Sequence, residues 1–96
     1  MTDHHPRLRI VYCTRCGFML RAAWLAQELL SAFAGEIAEV ALVPSGGGVF
    51  EVYVDDRLVY SRQQEGCFLD AREVKQRIGD RIAPQRRFGH GDEEQG

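Results

Sequence analysis

Between two short apolar runs, RLRIVYC (Arg7–Cys13) and EIAEVALVP (residues 36–44), lies a stretch of strong helix formers from about residue 14 to residue 33, with no proline in it. Leu8, Ile10 and Tyr12 alternate with Arg9 and Val11 in the first run, as in a strand with one buried face. On a helical wheel, Phe18, Met19, Ala22, Ala23, Leu25, Ala26, Leu29, Leu30 and Phe33 fill one broad side of the intervening stretch. Arg21, Gln27, Glu28 and Ser31 fill the other, and Leu20 and Trp24 fall with them. Gly35 supplies the stop. Strand, helix and strand in this order predict a right-handed βαβ unit with two parallel strands, the helix lying flat against the sheet. Few arrangements of so short a chain satisfy that constraint.

The remainder extends the sheet. SGGG (residues 45–48) reads as a flexible turn, and VFEVYV and RLVYS as two strands joined tightly through Asp55 and Asp56. QQEGCF reads as a loop. Asp70 with Glu73 forms a capping box that opens a last helix, striped by Ala71, Val74, Ile78 and Ile82 and ended at Pro84. The predicted order is β-α-β-β-β-α: an α/β (α+β) domain with a four-stranded mixed sheet and two helices over residues 8–83. Residues 1–7 read as a flexible arm and residues 84–96 as a disordered tail.

Ninety-six residues suffice for one domain, and 45% apolar with 27% charged residues describe a folded chain. A formal charge of -2 and pI near 5.9 give no reason to expect nucleic acid as a partner. No apolar run reaches the ~18 residues of a membrane helix, and the first residues lack the apolar core of a signal peptide, so the expected compartment is the cytoplasm. Thiols there are kept reduced, and three cysteines fit a disulfide framework poorly.

Two of the three, Cys13 and Cys16, stand three positions apart where the first strand meets the predicted helix, the thioredoxin-like placement of a redox pair. A helix N-terminus stabilises a thiolate, and Arg15 between the cysteines adds positive potential. One thiol can then attack a disulfide and the other resolve the mixed disulfide. Two other readings stay open. Cys67 with His4, His5 or His90 would complete a zinc set, although those histidines fall in loose segments. Alternatively, both thiols are simply core residues.

Several segments together resemble the selenoprotein W-like family, which includes selenoproteins T and H and bacterial cysteine-only Rdx-type members. They are VYCTRCGFMLRAAWLAQEL, GGGVFEVYVDDRLVYSR, EGCF and EVKQRI, in order and with matching gaps over about residues 7–82. The resemblance implies a thioredoxin-like fold, a CxxC redox centre at Cys13 and Cys16, and a role in cell redox homeostasis or antioxidant defence. Cys16 matches the position where animal members carry selenocysteine, so this chain reads as a cysteine-only homologue with no selenium. No cofactor is expected. Reducing equivalents are expected from glutathione or thioredoxin, and the expected partners are protein thiols, protein disulfides or glutathione. The chain departs from thioredoxins proper, which place a cis-proline before the strand facing the motif; SGGG stands there instead. Helix electrostatics favours Cys13 as the more exposed and more acidic sulfur, whereas the selenocysteine position points to Cys16. Cys13 is taken as the attacking thiol and Cys16 as the resolving one.

Three further features carry alternatives. Cys67 reads as a small buried residue or as an auxiliary thiol. Leu20 and Trp24 form a partner surface, or Trp24 packs under a neighbouring loop. Gly46, Gly47 and Gly48 form a flap over the motif or a plain turn. The sequence thus supports a thiol–disulfide oxidoreductase first, a redox-switched interaction module without turnover second, and a zinc-bound structural domain third.

Overall fold

The computed structural model describes residues 5–90, with the backbone alone for residues 83–90. Its elements are β1 (Arg7–Cys13), α1 (Met19–Ala32), β2 (Glu39–Ser45), β3 (Phe50–Val54), β4 (Arg57–Ser61), α2 (Arg62–Glu65) and α3 (Ala71–His90). The sheet order is β2-β1-β3-β4, with β1 and β2 parallel and the other pairings antiparallel. The predicted βαβ unit and hairpin are therefore both present, in a mixed four-stranded sheet.

Register explains why one face became the core. Ile10 lies opposite Val52, and Val52 opposite Tyr60, so all three project from the same side. Leu8, Ile10, Phe50, Val52 and Tyr60 are buried there against Ala22, Leu25 and Leu29 of α1 and Val74 and Ile78 of α3. Both long helices thus cover one face of the sheet. Arg9, Val11, Glu51 and Tyr53 project from the opposite face, where the Arg9 guanidinium lies 4.6 Å from the Tyr53 ring centre.

Three boundaries and one buried face differ from those predicted. Helix α1 starts at Met19 rather than near residue 14, because Gly17 adopts φ 73°, a left-handed conformation that no α-helix accommodates. Within α1, Met19 and Leu30, expected on the apolar side, are both exposed. The buried stripe is narrower, carried by Ala22, Leu25, Ala26 and Leu29. The predicted loop after β4 contains a one-turn helix, α2. Ser61 Oγ accepts the Gln64 N–H at 3.3 Å at its start, and Gly66 ends it at φ 80°. Finally, α3 runs through Pro84 to His90 where a stop was expected. A proline lacks one backbone donor and crowds the preceding turn, so the helix continues past it at a cost of about 3 kcal/mol. Residues 1–4 of the predicted arm and residues 91–96 of the predicted tail, with His4, lie outside the described residues.

Candidate functional site

Cys13 ends β1 and Cys16 lies in the turn before α1. The turn is fixed at its first residues: Cys13 N–H donates to the Val49 carbonyl at 2.9 Å, and Thr14 N–H to the Ser45 carbonyl at 3.1 Å. The segment 46–49 therefore passes directly beside the cysteines. Both cysteines are unbridged thiols, and Cys16 Sγ–H donates to Cys13 Sγ at 2.7 Å. Closing a disulfide from there requires only a small rotation of side chains.

The two sulfurs differ sharply in access and acidity. Cys13 is buried, at 2% exposure, while Cys16 is exposed. The prediction that Cys13 is the more exposed sulfur is thus reversed, because Cys13 belongs to a central strand whereas the turn carries Cys16 outward. Its greater acidity holds. Donation from Cys16 lowers the Cys13 pKa most; burial opposes this, and the backbone N–H groups of Gly48, Arg15 and Cys16 assist it. Cys16 is raised by its donation to Cys13, by burial and by the Cys13 charge, against the lowering effects of the Arg62 cation and the Gly48 N–H. The Cys13 thiolate is therefore stabilised first by the Cys16 thiol that donates to it and then by backbone N–H groups of the turn, which lies before α1 rather than inside it. Arg15 contributes through its main chain.

A pH titration follows from these directions. The two thiols share a proton and titrate as a pair. The first proton leaves below the ordinary thiol range, so the thiolate fraction at neutral pH exceeds that of an isolated cysteine; the second leaves above that range. Ultraviolet thiolate absorbance should rise in two steps that bracket the ordinary value, and a single step at that value would contradict the geometry.

Arg62 escaped the sequence reading of the site, and Gly48 entered it only within the glycine flap or turn. The glycine turn is held in place by α2. Gln63 Nε2 donates to the Gly47 carbonyl at 2.7 Å, and Arg62 Nη1 to the Gly48 carbonyl at 3.4 Å. Gly47 and Gly48 both take positive φ, 70° and 76°, which glycine alone adopts without strain. The turn reads as a structured wall beside the sulfurs, in the place where thioredoxins carry their proline; no cis peptide occurs among the described residues. Signals for this arrangement existed in the Ser61–Gln64 capping pattern and the Gly66 stop.

Beside the pair, Phe18 packs edge-on to Phe68 at 5.1 Å and to Phe50 at 6.0 Å. Arg21 lies 3.9 Å from the Phe68 ring centre, and Arg62 lies 5.3 Å and 5.5 Å from those of Phe68 and Phe18. Cys67 precedes Phe68 and is exposed, contrary to the buried reading. The Tyr60 hydroxyl donates to the Cys67 carbonyl at 2.6 Å and accepts the Leu69 N–H at 3.3 Å, which pins the backbone inward and leaves the thiol outside. Leu20 and Trp24 are 76% and 51% exposed on adjacent turns of α1. For the zinc reading, no three His, Cys, Asp or Glu side chains among the described residues converge on a common point.

Residues 7–80 match the model of the Rdx family. The chain belongs to the Rdx family. Two solved structures support the same placement. A crystal structure of a protein from Bordetella parapertussis is 49% identical, covers 81% of this chain and 99% of its own, and superposes with a TM-score of 0.79. A selenoprotein W-related protein from Vibrio cholerae is 46% identical, covers 82% of this chain and 99% of its own, with a TM-score of 0.80. No curated protein matches at a significant level. The resemblance to selenoprotein W-like proteins thus holds for this Rdx chain, as does its thioredoxin-like α+β fold. The family is redox-related, and the Rdx motif cysteines lie side by side. No described helix is long and apolar enough to cross a membrane.

Proposed function

We propose that this Rdx protein is a small cytoplasmic thiol–disulfide redox protein that works through Cys13 and Cys16 in redox homeostasis. The observation that carries this reading is the 2.7 Å thiol pair, one sulfur accessible and the other cradled by backbone donors. Cys16 is the attacking sulfur because it alone of the pair meets solvent. In the singly deprotonated pair the charge rests on Cys13, and transfer of the Cys16 proton across the hydrogen bond makes Cys16 the thiolate while Cys13 holds the proton. Cys16 Sγ then bonds to one sulfur of a substrate disulfide, and the other sulfur leaves as a thiolate. Cys13 passes its proton to the departing thiolate and attacks Cys16 Sγ in the mixed disulfide, and the second substrate sulfur leaves as a thiolate that takes a proton from solvent. Two electrons pass from the pair to the substrate, and the protein is left with a Cys13–Cys16 disulfide. Glutathione or a thioredoxin-type dithiol would return it to the reduced form.

Equilibration with glutathione or dithiothreitol buffers, followed by thiol trapping and mass spectrometry, tests the reading. A reversible Cys13–Cys16 disulfide with a potential between about -120 and -300 mV, the span of working dithiols, is the expected result. Absence of any such disulfide would sink the proposal. In the same experiment, Cys67 is expected to react as an independent exposed thiol, available as an auxiliary attachment point.

The exposure of Leu20 and Trp24 favours one second reading, an interaction module that the cysteine pair switches. That module would bind partners differently in its oxidised and reduced forms and would show no turnover with disulfide substrates.

A further inference from the structure

The charge around the sulfur pair points to the kind of substrate it meets, an inference that rests on the redox reading above. Arg15 stands between the two cysteines and is exposed. Arg21, on the first turns of α1, lies over Phe68, and Arg62, on α2, lies over both Phe68 and Phe18. Phe18 is two residues beyond Cys16, so the two rings connect these cations to the thiol turn, and the Arg62 charge is felt at Cys16 itself. Stacking on a ring fixes a guanidinium in place yet leaves in-plane N–H groups for a ligand; Arg62 spends one on the Gly48 carbonyl and keeps the others.

None of the three has a carboxylate partner among the described residues. Acidic groups close in sequence to this cluster are engaged elsewhere, Asp56 with Arg9 at 3.8 Å. Glu65 pairs with Arg77 at 2.6 Å, and Asp70 Oδ1 accepts the Glu73 N–H at 3.0 Å. Glu28 on α1 pairs with Lys75 at 2.7 Å. In a chain with a formal charge of -2, the Arg62 cation acts on Cys16, and Arg15 and Arg21 stand along the same turn and ring pair with no carboxylate partner among the described residues.

We propose that Arg15, Arg21 and Arg62 form a cationic rim that selects disulfides flanked by carboxylates, the substrate being a disulfide-bonded cysteine in an acidic peptide segment. The attack is that described above: Cys16 Sγ forms a mixed disulfide with the acidic segment, whose partner thiolate leaves, and Cys13 then releases the segment as a thiol. The reduced pair supplies both electrons, so one turnover needs no other reductant. The rim adds attraction before and during attack, and charge complementarity of this kind raises association rates by tenfold or more at low salt.

The test uses pre-reduced full-length protein and peptide dimers of equal length, each joined by one disulfide and flanked by aspartate and glutamate, by glutamine, or by lysine. Single-turnover release of peptide thiol is followed at low salt and at about 0.5 M salt, where the screening length falls to a few ångströms. The acidic dimer is expected to react about tenfold faster than the lysine dimer at low salt, the ratio falling toward one at high salt. Arg21→Gln and Arg15→Gln should each shrink the ratio and Arg62→Lys should keep it. Arg57→Gln, at the opposite end of the sheet, should leave it unchanged. Equal rates for the three dimers in the native protein, or an acidic preference that survives Arg21→Gln combined with Arg15→Gln and Arg62→Gln, overturn the rim while leaving the redox reading intact. Failure to reduce any dimer overturns both.

Discussion

Cys16→Ser is expected to lower disulfide exchange by on the order of a hundredfold or more, the scale on which displacing a reacting atom by about 1 Å acts. The remaining motif sulfur, Cys13, is 2% exposed at the end of β1, with its N–H held by Val49, so a substrate disulfide cannot align with it unless the strand end moves. Cys13→Ser should behave in the opposite way. The first attack survives, because loss of the Cys13 partner removes the largest influence raising the Cys16 pKa. Resolution is lost, so the mixed disulfide accumulates as a one-to-one adduct. Intact-mass spectrometry after exposure to a peptide disulfide reads both outcomes. An adduct trapped in Cys16→Ser, with none in Cys13→Ser, would assign the attack to Cys13.

That assignment shows where reading the sequence stops. Alternation in Arg7–Cys13 and in Phe50–Val54 is a property of each segment alone, so the strands and their buried faces were legible. The βαβ unit followed from handedness and the hairpin from two aspartates. Helix propensity, by contrast, treats residues 14–18 as continuous with α1, whereas the backbone turns at Gly17 with positive φ. A shift of one helical turn is enough to exchange the exposures of the cysteines. The buried reading of Cys67 fails for a similar reason: a hydroxyl from β4, seven positions earlier, decides which way its backbone faces.

Contacts distant in sequence were the least legible. Arg62 and Gln63 reach Gly48 and Gly47 across the sheet end, and no periodicity marks such a pair. The cysteine motif announced the chemistry, while a backbone donor that tunes it comes from a glycine turn that reads equally as a flap or a plain connection. Arg15 drew attention by its position between the cysteines, yet its backbone N–H is the part that bears on Cys13. A motif names reacting atoms; the fold supplies their surroundings.

Phe50→Ala should produce the largest loss of stability and should also loosen the site. The ring is 2% exposed and meets Phe18, Phe68 and Tyr60 edge-on at 6.0, 5.3 and 6.4 Å. Truncating a buried phenylalanine costs about 3–5 kcal/mol, from lost transfer energy and the cavity left behind. Domains of this size hold only about 5–15 kcal/mol in total, so the melting temperature should fall by roughly 15 °C or more. Phe50→Leu, which keeps most of the volume, should cost under about 1.5 kcal/mol. Phe50 directly follows Val49, whose carbonyl accepts the Cys13 N–H, and Phe18 and Phe68 carry Arg62 and Arg21. The cavity therefore frees the segment that supplies the Gly48 N–H, and the first thiol step should move up toward the ordinary range at temperatures where the variant remains folded. Urea denaturation gives the energy and the thiolate titration gives the coupling. A Phe50→Ala midpoint equal to the wild type would contradict the packing, and unchanged thiol steps in a destabilised but folded variant would show that the aromatic cluster does not hold the donor turn in place.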